Sequence, residues 1–276
     1  MNNTNPPLKQ YRTVLSIAGS DSGGGAGIQA DIKTISALGA YAMTAVTALT
    51  AQNTRGVSGI HPVPVEFAEA QIDAVLSDIG ADAVKIGMLY SAELIRTVSR
   101  ALKRHRAVNI VLDPVMVAQS GDRLLQDDAV DALISELVPL AAVLTPNLPE
   151  AEVLLARPVS GARQMAAAAR DLAGLGCGAV LLKGGHEKAA QSDDLLYLAA
   201  EDRTVWLRAG RIETENTHGT GCTLSSAVAA LLAAGLAVEE AARRAKSYIS
   251  DAIRAGAPYR LGGGHGPVHH FHRIWP

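Results

Sequence analysis

Short runs rich in Val, Ile, Leu and Ala alternate along this chain with longer stretches where apolar residues recur every three or four positions. The short runs predict strands at Thr13–Ala18, Ala42–Ala51, Ala83–Ile86, Asn109–Leu112, Ala142–Thr145 and Ala179–Lys183. The helical period predicts helices near Gly27–Leu38, Glu66–Ser77, Ala92–Lys103, Asp127–Leu137, Pro149–Leu155 and Arg163–Leu175. Near-continuous apolar strands separated by helices mark a parallel sheet covered on both faces, because each strand has two sides to bury. Two further runs, Leu195–Ala199 and Thr204–Leu207, have no helix between them and predict an antiparallel hairpin at the sheet edge. Helices at about Gly221–Ala234 and Val238–Ala255 close the regular part. No linker, composition break or repeat divides the chain, so a flexible tail at 1–10 and a single domain over 11–276 are expected.

Composition narrows the function classes. With 48% hydrophobic and 19% charged residues, the 276-residue chain can bury a large core. A formal net charge of −2 gives no electrostatic reason to bind nucleic acid. Cys177 and Cys222 are the only cysteines, which excludes a disulfide framework. Met1–Gln10 lacks an apolar signal core, and the longest apolar stretch, about Ala227–Val238, is too short to span a bilayer. A soluble cytoplasmic protein is expected.

Chemistry-bearing residues fall in loops after the predicted strands, where sheets of this kind bind ligands. Gly19–Gly27 is a glycine-rich loop that allows close backbone approach to a ligand; it is neither a dinucleotide fingerprint nor a Walker A loop. Asp31 lies one turn inside the following helix, where it either faces the ligand or is solvated surface. Gln52 ends the second strand and offers a donor and an acceptor; Gly87-Met88 follows the third. Asp113, Asn147 and Glu150 could together hold Mg²⁺ through its water shell, although each alone also reads as a cap or turn residue. Lys183 either meets phosphate oxygens or simply finishes its strand. The run Asn216-Thr217-His218-Gly219-Thr220-Gly221-Cys222 then opens a helix, aiming free N–H groups and a dipole end at one point suited to a phosphoryl group. Cys222 sits there, where a thiolate is expected to be stabilised.

As an ordered set these blocks resemble the ribokinase-like superfamily, and within it the hydroxymethylpyrimidine/phosphomethylpyrimidine kinases of thiamine biosynthesis. The resemblance runs from about Thr13 to the C-terminus and includes Lys85-Ile86-Gly87-Met88, Leu182-Lys183-Gly184-Gly185-His186 and the tail Gly264–Phe271. It implies a mostly parallel sheet with helices on both faces, ATP and Mg²⁺ as cofactors, and a homodimer. It further implies that Gly19, Ala26, Asp31, Gln52, Met88 and Val115 line a pyrimidine pocket. Gly219, Thr220 and Gly221 would form the anion hole and Cys222 would accept a proton. Lys183 and Asn147 would attend the nucleotide, with Asp113 and Glu150 organising the metal. Glu215 departs from the pattern, standing where a basic residue is expected. Pyridoxal kinase is the alternative on the same scaffold. Intact Cys222, Lys183 and Asp113 argue against a binding protein without turnover. His269, His270 and His272 fit a docked C-terminal segment better than a metal site or tag remnant.

Overall fold

In the computed structural model, which describes residues 9–117, 124–126, 128–185 and 191–275, a nine-stranded sheet runs through the whole molecule. Its strands are β1 (Thr13–Asp21), β2 (Tyr41–Asn53), β3 (Gly56–Pro62), β4 (Ala83–Ile86), β5 (Ile110–Leu112), β6 (Val143–Leu144), β7 (Ala179–Lys183), β8 (Asp194–Leu198) and β9 (Arg203–Leu207). They lie in the order β3-β2-β1-β4-β5-β6-β7-β8-β9. The six from β2 to β7 pair parallel, while β3, β8 and β9 join antiparallel at the two edges. The chain leaves β1 toward β2 and later returns to β4 on the other side of β1. That reversal makes the carboxyl ends of β1 and β4 a natural ligand crevice.

Helices α1 (Gly27–Ala37), α7 (Thr220–Ala233) and α8 (Val238–Gly256) cover one face. Helices α2 (Val65–Asp78), α3 (Ala92–Arg104), α4 (Ala129–Ala132), α5 (Leu148–Leu155) and α6 (Gly161–Ala173) cover the other. Helix α3 forms because Leu94, Ile95, Val98 and Leu102 share an apolar stripe and Ser91 caps its start, accepting from Leu94 N at 3.3 Å. Helix α7 is different: nearly all its residues after Cys222 are buried, because it packs against β1, β4, β5, α1 and α8 at once. Small residues such as Ser225, Ser226 and Ala227 allow that crowding.

Two expectations differ from the structure. Strand β3 was not expected, since Gly56, Gly59 and Pro62 interrupt it and its side chains are mostly exposed at the sheet edge. The helix expected over 127–137 begins on Asp127, outside the described residues. Its described part is short α4, a π turn over Leu133–Leu137 and a 3₁₀ turn over Val138–Leu140. Pro139 cannot continue an α-helix, and the Ser135 hydroxyl bonds back to Asp131 O at 2.7 Å, which favours the irregular turn. The expected tail at 1–10 lies outside the described residues up to 8, as does His186 of the β7 block. Among the described residues no helix is long and apolar enough to cross a membrane.

Candidate active site

A cavity of about 460 Å³ opens along the carboxyl ends of the parallel strands. Of the residues assigned to the pocket, anion hole, nucleotide and metal, all but Asp31 line it: Gly19, Ala26, Gln52, Met88, Val115, Asp113, Asn147, Glu150, Lys183, Gly219, Thr220, Gly221 and Cys222. Seven separate stretches of chain, up to about two hundred positions apart, converge there because each follows a strand or opens a helix at the same sheet edge.

At one end stands a cluster of charge. Lys183 Nζ lies 2.8 Å from Asp113 Oδ1 and 3.8 Å from Glu150 Oε2. Asp113 also accepts from Ser225 Oγ at 3.1 Å and Thr145 Oγ1 at 3.2 Å. Burial pushes the Asp113 carboxyl up, but the Lys183 and Lys85 ammonium groups hold it below the usual range. Glu150 goes the other way: burial pushes it up to about 7, Lys183 opposing and Asp113 adding to the rise. Asn147 and Glu150 form a reciprocal cap on α5, Asn147 N donating to Glu150 Oε2 at 2.7 Å and Glu150 N to Asn147 Oδ1 at 2.8 Å. That cap aims both side chains from a fixed helix start.

These oxygens fit Mg²⁺ only in part. Among the described residues no three His, Cys, Asp or Glu side chains are grouped to hold a metal. Asp113 and Glu150 are hard oxygen donors in a site where burial, with Asp113 beside it, raises the Glu150 carboxyl. They suit an ion that keeps most of its water.

At the other end the walls are mostly backbone. Gly19 sits at a register shift between β1 and β2, and a Cβ there would come within 3.0 Å of Met88 Sδ. Gln52 Oε1 lies 3.1 Å from Thr50 Oγ1, which leaves its amide N–H groups for the cavity. Asp21 gathers the loop by accepting from the N–H groups of Gly23, Gly25 and Ala26 at 2.8, 3.0 and 2.8 Å.

Between the two ends, Gly219 starts α7 at φ 80° with no side-chain cap on the first-turn amides, of which Thr220 N also donates to Thr217 O at 3.2 Å. Gly219 must be glycine, since a Cβ there would overlap Gly25 O. Asn216 anchors the turn by donating to Gly256 O at 2.8 Å and Tyr259 O at 2.6 Å.

Two points correct the sequence reading. Asp31 does not face the cavity: its fully buried carboxylate accepts from Ser16 Oγ at 2.6 Å, Ser226 Oγ at 2.6 Å and Lys85 Nζ at 2.9 Å. It therefore acts beneath the floor, holding Lys85, which does line the cavity. Nor is the Cys222 thiolate favoured: burial pushes the thiol up to about 11, with Lys85 opposing and Asp31 and Asp113 adding to the rise. A helix end stabilises a thiolate by less than this burial costs it.

The C-terminal segment is docked, as its sequence implies. His218 N donates to Gly266 O at 3.0 Å, and His270 Nε2 meets Thr223 Oγ1 at 3.1 Å beside Cys222. Burial drives the His270 imidazole down to about 3, so it is neutral there. Lys85, Asp21 and His218 had no assigned role in the sequence reading. Lys85 carries a legible signal, a lone charge inside the buried strand Ala83–Ile86.

The sequence profile of a family described as phosphomethylpyrimidine kinase matches residues 21–269. A hydroxymethylpyrimidine/phosphomethylpyrimidine kinase of Rhizobium meliloti is 54% identical over 262 residues, 95% of this chain and 97% of that one. A thiamine biosynthesis bifunctional protein of Geobacter sulfurreducens is 54% identical over 94% of this chain and 52% of its own length. The crystal structure of an ADP complex of Bacillus subtilis pyridoxal kinase superposes with a TM-score of 0.88 at 36% identity, covering 96% of this chain and 100% of that one.

Proposed function

The chain belongs to the phosphomethylpyrimidine kinase family, on a ribokinase-like fold, and from that premise we propose how its cavity works. It phosphorylates hydroxymethylpyrimidine and then the monophosphate so formed, with ATP as donor, serving thiamine biosynthesis. The observation that carries the reading is the junction of an uncapped helix start at Gly219–Cys222 with the Lys183–Asp113–Glu150 cluster, both on one cavity.

Phosphoryl transfer needs positioning and charge neutralisation more than covalent help. The pyrimidine ring would lie against Gly19, Ala26, Met88 and Val115, with the Gln52 amide donating to a ring nitrogen. Its hydroxymethyl oxygen would then point between Cys222 and the γ-phosphate. The amides of Gly219, Thr220 and Gly221 would meet the equatorial oxygens of the transferring group, and Lys183 the phosphate chain. Asp113 and Glu150 would hold Mg²⁺ through water, with Asn147 beside them; the ion supplies charge neutralisation at the phosphates. Cys222 would take the hydroxyl proton from its thiolate form. Asp31 contributes by fixing Lys85 under the reacting groups. A homodimer in the cytoplasm is part of the same reading; the dimer is supported by the position of β3 at the sheet edge and the exposed Leu49 and Ile60 on the β2–β3 ribbon.

The likeness to a pyridoxal kinase favours one rival, since pyridoxal also carries a ring hydroxymethyl group. One assay separates them: the purified protein with Mg-ATP and, separately, hydroxymethylpyrimidine, its monophosphate and pyridoxal. Sequential conversion of the pyrimidine to the diphosphate is expected. Turnover of pyridoxal with none of either pyrimidine promotes the rival.

A further inference from the structure

Asp21 and His218 lie 197 positions apart and are joined by one buried contact, His218 Nε2–H donating to Asp21 Oδ2 at 2.8 Å. Each is the organiser of a different loop. The Asp21 carboxylate draws together the amides of Gly23, Gly25 and Ala26, which shape the ring end of the cavity. His218 immediately precedes Gly219, and its own N–H and C=O are pinned to Gly266 and Val268 of the C-terminal segment at 3.0 and 3.4 Å. The two loops also touch directly, once through the His218 ring and once backbone to backbone. A Cβ on Gly25 would overlap the His218 ring, and one on Gly219 would overlap Gly25 O. Movement of the glycine loop therefore cannot occur without moving the start of α7.

We propose that the Asp21–His218 pair is a positioning device that couples occupancy of the ring site to the setting of the anion hole at Gly219–Cys222. The inference rests on the functional reading above. Its physical basis is that anion-hole donors act only when held close to the productive geometry, and a displacement of about 1 Å costs roughly 10²-fold in rate. A joint between the two loops lets the ring hold the donors in place. Thermodynamic linkage then requires that ring and nucleotide each tighten the other's binding by the same factor. The His218 Nε2–H facing Asp21 is already donated to that carboxylate. Gln52 Nε2, 3.5 Å from the same nitrogen, places the joint beside the ring site.

Calorimetry with a non-hydrolysable ATP analogue, with and without saturating hydroxymethylpyrimidine, reads this coupling directly. The parent is expected to bind the analogue about fivefold or more tightly when the ring is present. In His218→Ala the ratio falls to about one and kcat drops roughly 10- to 100-fold, while the KM for each substrate rises by no more than the lost coupling factor. His218→Gln, whose amide N–H reaches toward Asp21, recovers most of the coupling. Gly25→Ala, which removes no polar group but displaces the ring of His218, loses it again. Should His218→Ala not fold, the Gln and Gly25 variants decide between them. Coupling that survives in His218→Ala or in Gly25→Ala, with only the melting temperature lowered, overturns the proposal and makes the pair a packing contact. A parent that phosphorylates neither pyrimidine overturns the functional reading instead, so the two failures are distinguishable.

Discussion

The two ends of the cavity solve different physical problems with different materials. At the phosphoryl end, Lys183, Asp113 and Glu150 stand on or just beyond three adjacent parallel strands, with their charges 2.8 to 3.8 Å apart. Their positions are set by sheet hydrogen bonding and by the Asn147–Glu150 cap, so little can shift when a phosphate chain arrives. At the ring end, a loop with four glycines between Ser22 and Ile28 is gathered by the Asp21 carboxylate, itself bonded to His218, and tied further by Lys33 to Gly24 O and by Ser22 to the Gln52 backbone. On the reading proposed above, the first end would keep charge in place before reaction and the second would let backbone approach a flat, neutral ring. Fixed dipoles and ions cost no reorganisation in the transition state. A closely fitting loop does, which is why it needs a joint to the other end.

Cys222 lies where the ends meet, and its removal should have the largest effect. General bases contribute about 10²–10⁴-fold, so Cys222→Ala should slow turnover by that order with both ligands still bound. The pH profile sharpens the test. With the thiol raised to about 11, only a small thiolate fraction exists at neutral pH. The rate limited by that fraction should climb about tenfold per pH unit from neutrality and flatten toward 11. Cys222→Ala should be slow and flat over the same range. A parent profile equally flat would take the thiol out of proton transfer and leave the work to the phosphoryl end and the anion hole.

Gln52→Ala tests the ring end alone. Leaving a buried partner unmatched costs about 1–3 kcal/mol, so pyrimidine affinity should fall roughly ten- to a hundredfold. Nucleotide affinity measured without the ring should stay nearly unchanged, because Gln52 touches nothing at the charged end. Equal losses for both ligands would mean that the ends are not separable in this way.

The phosphoryl end was the more legible in the sequence, and the reason is geometric. A parallel sheet sends every strand end to one edge, so Asp113, Asn147, Glu150 and Lys183 could be placed together from strand assignments alone. The fold was legible for the same reason: β4 and β7 have the predicted bounds, and the other predicted strands differ by a few residues at their ends. What failed were properties that depend on depth. Asp31 lies one helical turn into α1 on either reading, but only packing decides that it meets Ser16, Ser226 and Lys85 rather than a ligand. Lys85 signals a buried partner without saying which, and that partner is 54 positions away. The thiol of Cys222 was judged from its helix end, a local feature, whereas burial by distant strands sets its acidity. The Asp21–His218 joint has no local signature, because its halves come from opposite ends of the chain.

The smallest effect sought is on stability, and it probes the claim that the phosphoryl end holds charge under strain. Glu150 titrates near 7 in the folded protein against 4.5 for the free side chain, because it is buried beside Asp113. Between those values the folded state keeps a proton that the unfolded state has released. Stability attributable to this group is therefore full at low pH and falls as pH rises through about 7. Glu150→Gln cannot titrate, yet its amide oxygen can still accept from Asn147 N and preserve the cap. Without nucleotide and with chelator present, parent and variant should melt alike at about pH 4, below the unfolded value. By pH 8 the variant should be the more stable, by about 1–3 kcal/mol and a few degrees of melting temperature, the cost of ionising the buried carboxyl that Lys183 only partly offsets. A gap that stays constant with pH would mean that Glu150 is ionised without penalty. The charged end would then be no more strained than the ring end.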